Sequence, residues 1–326
     1  MPKRTTARLY RGTPRNLAAL ARVLRAGGIV AVPTETVYGL AANALDARAC
    51  RKIFRAKGRP AHDPLIVHIH ALAELAAIAE PNAAALALAK EFWPGPLTLV
   101  LPKKRTVPAL VTAGLPSVAV RMPAHPLLRR LLRLAGVPLA APSANPFGYV
   151  SPTTAGHVRR GLGKRIHHIL DGGAAHIGLE STIVDVRDSA RPRLLRPGAI
   201  TRGQLEKVLG KKVARGRSAK KTVAQLAPGM LARHYSPRTP VVLHEKIPAR
   251  HAADEAWVFL AKPARAAADN VFWLDARGDL RRAARRLFAI LRRLDEGRFK
   301  KIHVELVRDG GLAEAINDRL RRAAAR

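Results

Sequence analysis

GIVAVPTETVYGL, residues 28–40, is the stretch around which the chain is organised. Ile29 to Val32 form a short apolar run that reads as a buried strand, and Pro33 ends it because proline has no N–H to give a sheet ladder. Thr34, Glu35 and Thr36 follow at once, three side chains able to hydrogen-bond, before Val37, Tyr38 and Gly39 return the chain to apolar packing. A strand ending in a polar turn is where open α/β sheets usually put their chemistry. Taken alone it also reads as a capped strand-to-helix turn, so its repetition downstream decides the matter.

Upstream, Leu17, Leu20, Val23 and Leu24 share one face of a helix over residues 16–26, closed by Gly27 and Gly28. Downstream, Asp46 is placed to cap a helix from Ala47 to about Arg55. KGRPAHDPLIVHIH, residues 57–70, sets Lys57 and Arg59 in a Gly/Pro turn before a strand from Leu65 to Ile69. Two cations there suit a phosphate or a solvated basic turn. His68 and His70 lie on one face of that strand, but no third metal ligand stands at a recognisable spacing, so no metal site is expected. Ala-rich helical sequence fills residues 71–92, and FWPGPLTLVLPK, residues 92–103, gives a proline-fixed aromatic corner and a strand.

Three more strands end in polar turns. SVAVRMPAHP, residues 117–126, carries Arg121 at its end, and an arginine in an apolar strand must find an anion, whether a ligand or an internal Asp or Glu. PLAAPSANPFGYVSPT, residues 138–153, leads from a strand at 138–141 into Ser143, Asn145 and Ser151, with a helix starting near Thr153. Such a loop binds phosphate without a Walker sequence, or serves as an Asx/Ser turn and helix cap. ILDGGAAHIGLESTIVDV, residues 169–186, turns at Asp171 to Gly173 and re-enters a strand at Ser181 and Thr182; in LLRPGAIT, residues 194–201, Arg196 precedes Pro197, and Thr201 caps a helix to Leu209.

The chain has 326 residues, enough for two domains. Residues 211–221, KKVARGRSAKK, hold six basic residues and no acid, which reads as a flexible linker. APGMLARHYSPRTP, residues 227–240, carries Met230, His234 and Tyr235 and so lies over a pocket rather than only spacing two domains. From Val241 the pattern restarts, with strands at 240–244, 256–260, 271–274 and 301–306, an amphipathic helix from Leu280 to Leu294, and a closing helix: a small, mostly parallel α/β domain.

The formal charge of +35 favours polyanionic partners such as nucleotides and RNA, yet arginine and alanine are used heavily everywhere, as a GC-rich genome also gives. Few aromatics lie among the basic residues, so the single-strand stacking pattern is absent. One cysteine, Cys50, fits a reducing compartment, and with neither an 18-residue apolar run nor a signal-peptide core a cytoplasmic protein is expected. No GxxxxGK[ST], GxGxxG or GxSxG motif occurs. Hydroxyls and cations on four strand-turn elements, with few carboxylates, suit an anionic small substrate and a nucleotide rather than paired-carboxylate hydrolysis.

In order and spacing, PTETVYGL, KGRP with PLIVHI, FWPGPLTLVL, VAVRMPAHP, APSANPFGYVSPT, LESTIVDV and LLRPGAIT resemble the threonylcarbamoyl-AMP synthases, the YrdC-type domain, over residues 14–210. The HYSP linker and GGLAEAINDRL are similar to the longer, two-domain form. The resemblance implies a twisted open mixed α/β sheet over residues 1–210 as the catalytic domain, a linker over the active site at 211–240, and a smaller Rossmann-like domain at 241–326. It implies that L-threonine, bicarbonate or CO2, and ATP give threonylcarbamoyl-AMP and pyrophosphate with no protein nucleophile. Mg2+ is carried mainly by the phosphates, and other proteins move the product's acyl group to the tRNA adenosine beside the anticodon. Carried over by position, Thr36, His68, Arg121, Ala141 and Ser181 contact threonine. Lys57, Arg59, Asp63, Ser117, Ser143, Ser151, Arg196 and Tyr235 belong to the ATP side. Asp63 departs from the pattern, in which an amide stands there more often, and a carboxylate beside phosphates is repulsive unless Mg2+ intervenes. Two other readings remain: an RNA-binding module, and a carbamoyl-transfer enzyme of the kind whose zinc-finger cysteines a chain with one cysteine cannot supply.

Overall fold

A computed structural model describes residues 6–216, 225–229, 234–249, 251–264, 268–297 and 299–325. The first domain contains strands β1 (Arg8–Arg11), β2 (Val30–Val32), β3 (Gly39–Asn43), β4 (Ile66–His68), β5 (Leu97–Pro102), β6 (Ser117–Arg121), β7 (Leu139–Ala140), β8 (His168–Asp171), β9 (Thr182–Asp185), β10 (Arg193–Arg196) and β11 (Ala214–Arg215). Its helices are α1 (Pro14–Arg25), α2 (Ala47–Lys57), α3 (Leu75–Ile78), α4 (Ala83–Phe92), α5 (Pro126–Ala135), α6 (Ala155–Leu162) and α7 (Arg202–Leu209). The strands form one mixed sheet in the order β1-β8-β2-β3-β7-β4-β6-β5-β9-β10-β11.

Local chemistry sets the helix starts. Thr13, Asp46, Asn82, Thr154 and Thr201 each accept a backbone N–H from the first turn they cap, and Thr201 forms a reciprocal capping box with Gln204. Strand alternation then sorts the apolar residues between two cores. Val30 and Val32 face α1 and α5, while Ala31 packs on the opposite side with residues of α2, α4 and α6. Farther along the first of these faces Ile66, Ala119 and Ile183 are covered by Ala227 of the linker.

Two features differ from the sequence reading. The PTET turn does not lead to a helix: β3 returns antiparallel to β2, with Val32 opposite Gly39, so the turn joins neighbouring strands. Ala214 and Arg215, read as flexible linker, pair in parallel with β10 and extend the sheet, because backbone groups at a sheet edge need no apolar pattern to pair.

The second domain holds β12 (Val241–His244), β13 (Ala256–Phe259), β14 (Val271–Trp273), α8 (Leu280–Glu296), β15 (Ile302–Glu305) and α9 (Ala313–Ala324). Its four strands, in the order β12-β15-β13-β14, are all parallel. The core under α8 and α9 also contains Val37, Val150, Leu179 and Tyr235, so the two domains share buried apolar surface directly behind the polar turns.

Candidate active site

The turn after β2 is built by Thr34. Its hydroxyl accepts the N–H groups of Thr36 (3.0 Å) and Val37 (3.1 Å) and lies 2.7 Å from the Thr36 hydroxyl. This holds Thr36 against Arg121, which ends β6. The Arg121 guanidinium donates to Thr36 Oγ1 (2.9 Å), Glu35 Oε1 (2.6 Å) and the Gly95 carbonyl (3.1 Å). Of the two partners left open for the strand-end charge, a ligand anion or an internal acid, the protein itself supplies the internal acid, Glu35. Burial would raise the Glu35 carboxyl, but the charge and hydrogen bond of Arg121 outweigh it and hold the group below the usual carboxylate range.

Beside Arg121 in register stands His68 of β4, with Nδ1 3.2 Å from the Ile66 carbonyl. Burial, and then the neighbouring Arg121, push His68 down to about 3, so the ring is neutral at physiological pH. His70 turns elsewhere, pairing with Glu74 at 2.7 Å near the surface. Ala141 closes against Gly39, where an added Cβ would lie 3.2 Å from the alanine methyl; the close approach lets the PTET and APSAN loops pair backbone to backbone.

The other cations come from the later turns. Arg196 donates to the Ser181 carbonyl (3.0 Å), the Ser181 hydroxyl (3.0 Å) and the Pro228 carbonyl (3.2 Å), and Ser181 also meets Thr98 at 2.7 Å. Arg59 pairs with Asp63 at 2.8 Å and donates to the Pro64 carbonyl at 2.6 Å. Tyr235 enters from the linker with φ 61°, a left-handed conformation that few side chains adopt.

These elements surround one small cavity of about 40 Å³. Thr36, Arg59, His68, Arg121, Ala141, Ser143, Ser181, Arg196 and Tyr235 all line it. Four expected residues do not. Lys57 spends its ammonium on the Ser143 and Asn145 carbonyls, 2.6 Å each, and so anchors the APSAN loop from behind. Asp63 is behind Arg59 as its counter-ion. Ser151 donates to Glu180. Ser117 is buried at the far end of β6 from Arg121, its hydroxyl without a partner among the described residues. Thr34, Glu180 and His234 also line the cavity; the sequence reading placed Thr34 in the polar turn and His234 in the segment over a pocket without assigning either a ligand contact, and it passed over Glu180. Glu180 stands next to Ser181 and His234 next to Tyr235, so adjacency to the chosen residues was the available signal.

Residues 22–198 match the family model named for Sua5, YciO and YrdC and described as telomere recombination; residues 200–325 match the one described as threonylcarbamoyl-AMP synthase, C-terminal domain. The threonylcarbamoyl-AMP synthase of Pyrococcus abyssi is 43% identical over 316 residues, covering 92% of each chain. The chain belongs to the threonylcarbamoyl-AMP synthase family. The Bacillus subtilis member is 43% identical over 322 residues, covering 94% of this chain and 92% of its own. The crystal structure of the Pyrococcus abyssi protein Sua5 complexed with L-threonine superposes with a TM-score of 0.89 at 41% identity over 98% of both chains. Membership in the threonylcarbamoyl-AMP synthase family makes the chain an enzyme, so an RNA-binding module without turnover is set aside.

Proposed function

We propose that the cavity joins L-threonine, bicarbonate-derived CO2 and ATP to give L-threonylcarbamoyl-AMP and pyrophosphate. The observation that carries this reading is the convergence of Arg121, Thr36 and His68 with Arg59, Arg196 and Tyr235 on one enclosed space in a chain that matches a threonine-bound relative over nearly its whole length. Arg121 uses three of the five N–H donors of a guanidinium on the protein, which leaves two for a substrate carboxylate. Neutral His68 beside it does not compete for that carboxylate and adds no charge against an amine.

The threonine amine takes up CO2 to form a carbamate, and a carbamate oxygen attacks the α-phosphorus as pyrophosphate leaves. Both reactants are anions, so the chain's work is to place them head to tail and to offset their charge, through Arg121 on one and Arg59 and Arg196 on the other. Magnesium fits this site as an ion carried by the triphosphate. Glu180, the one carboxylate lining the cavity among the described residues, already holds Ser151 and Arg319, so such an ion would take its ligands from phosphate and water and would supply screening of the phosphate charge. No helix among the described residues is long and apolar enough to cross a membrane, and we place the enzyme in the cytoplasm with the transferase that passes its product to tRNA. The net charge of +35 favours contact with that RNA.

Turnover with L-threonine, bicarbonate and ATP tests the reading, with the nucleotide product identified by mass. Threonine-dependent pyrophosphate release with threonylcarbamoyl-AMP as product is expected; ADP as product, or release that ignores threonine, overturns it.

A further inference from the structure

The three arginines that line the cavity are not equivalent. Arg121 is paired with Glu35 and Arg59 with Asp63. Arg196 has no ion-pair partner among the described residues; its donors meet two carbonyls and a hydroxyl. Yet a carboxylate is close by. Glu180 adjoins Ser181, the residue whose hydroxyl and carbonyl Arg196 holds, and both Glu180 and Arg196 line the same cavity. A buried carboxylate beside a buried guanidinium would ordinarily pair with it, since either charge alone is costly to bury.

Something else claims Glu180. Arg319, on α9 of the second domain and fully buried, donates from Nε to Glu180 Oε2 at 2.7 Å, while Ser151 takes Oε1. The same guanidinium reaches the carbonyl of Pro197 (3.0 Å), the residue after Arg196, and its central carbon lies 5.2 Å from the centre of the Tyr235 ring. Its fourth partner is Asp318. Every attachment Arg319 makes to the first domain and the linker is thus on the Arg196–Tyr235 side; none reaches Thr36, His68 or Arg121. Arg292 of α8 adds a parallel tie, donating to the carbonyls of Val150 and Ser151.

We infer that Arg319 is a positioning residue: from the second domain it sequesters the Glu180 carboxylate and thereby leaves Arg196 as the uncompensated cation that receives the nucleotide's phosphates. The inference deepens the proposed reaction and rests on it for the identity of the anion. It gives the second domain a task at the site that packing alone does not describe. Without Arg319, Glu180 turns to Arg196, cancels it, and presents negative charge to the incoming phosphates.

The test uses the full chain and compares Arg319→Met, Arg319→Lys and the double variant Arg319→Met with Glu180→Gln. KM values for ATP and L-threonine are measured, together with calorimetric Kd values for L-threonine and for inorganic pyrophosphate. Arg319→Met is expected to raise the ATP KM and the pyrophosphate Kd about tenfold or more and to leave the threonine Kd within about twofold. Arg319→Lys, which keeps a charge opposite Glu180, retains most of the pyrophosphate affinity, and Glu180→Gln in the Arg319→Met background restores it, because an amide has no charge with which to cancel Arg196. Threonine and pyrophosphate binding lost together, with no recovery from Glu180→Gln, overturns the inference and makes Arg319 a domain tie only; so does an unchanged pyrophosphate Kd in Arg319→Met. The proposed reaction is judged apart, on wild-type product formation, whereas the charge arrangement is judged on pyrophosphate binding, which needs no turnover.

Discussion

Arg121 shows how much of the site depends on one side chain's geometry. Its planar fork spans Glu35, Thr36 and the Gly95 carbonyl at once, which a flexible ammonium cannot do. Arg121→Lys therefore keeps the positive charge but releases Thr36 and loses the two free donors. We expect the KM for threonine to rise by about 10- to 100-fold with little change in the KM for ATP, as measured by threonine-dependent pyrophosphate release. An equal rise in both would show that Arg121 serves the whole cavity rather than the amino-acid side. The requirement for an anion at Arg121 was legible in the sequence, because a guanidinium at the end of an apolar strand cannot be left alone; that Glu35 meets it was not, because a three-residue polar turn does not reveal which member points inward. Lys57 teaches the converse. Its position in a basic turn suggested phosphate, whereas its partners are backbone carbonyls at Ser143 and Asn145, groups that no composition reveals.

At the scale of elements, the linker residues 225–229 and 234–235 form the piece whose shape the site cannot do without. Gly229 has φ 79°, and a Cβ there would lie 2.6 Å from the Tyr235 hydroxyl and 3.2 Å from an Arg196 terminal nitrogen. Gly229→Ala both strains the backbone and pushes Tyr235 off Arg196. The expected result is a loss of about tenfold in nucleotide affinity with the threonine Kd retained, read by calorimetry. Equal affinities in the variant would mean that Tyr235 moves without consequence. Helices were legible at this scale because their caps are local: Asp46 and Thr201 announce their helices within four residues. Strands with strong apolar runs were legible too, including all four of the second domain. The pairing of β1 with β8, across about 160 residues of sequence, was not, nor was β11, since neither strand carries a pattern that names its partner.

The whole molecule buries an unusual set of imidazoles in uncharged form, and this fixes its behaviour in acid. His68 is pushed down to about 3 and His157 to about 4, in both cases first by burial and then by neighbouring arginines; burial lowers His125 and, more strongly, His234 as well. In the unfolded chain each takes a proton near its ordinary value, about 6.5. The unfolded state thus binds more protons than the native state below that pH, and stability falls as pH drops from about 6.5 toward 4. Glu35, held low by Arg121, extends the loss to lower pH, since it too is protonated first in the unfolded chain. Asp63 works the other way: burial raises it, so it opposes part of the loss around its ordinary range near 4. Four imidazoles against one carboxyl leave the acid limb steep. Denaturant unfolding followed from pH 7.5 to 4.5 should show a falling midpoint whose slope corresponds to more than one proton, and His157→Gln, away from the cavity lining, should make that slope shallower. A midpoint that stays level between pH 7 and 5 would mean that the native fold admits protons at these rings as readily as the unfolded chain does.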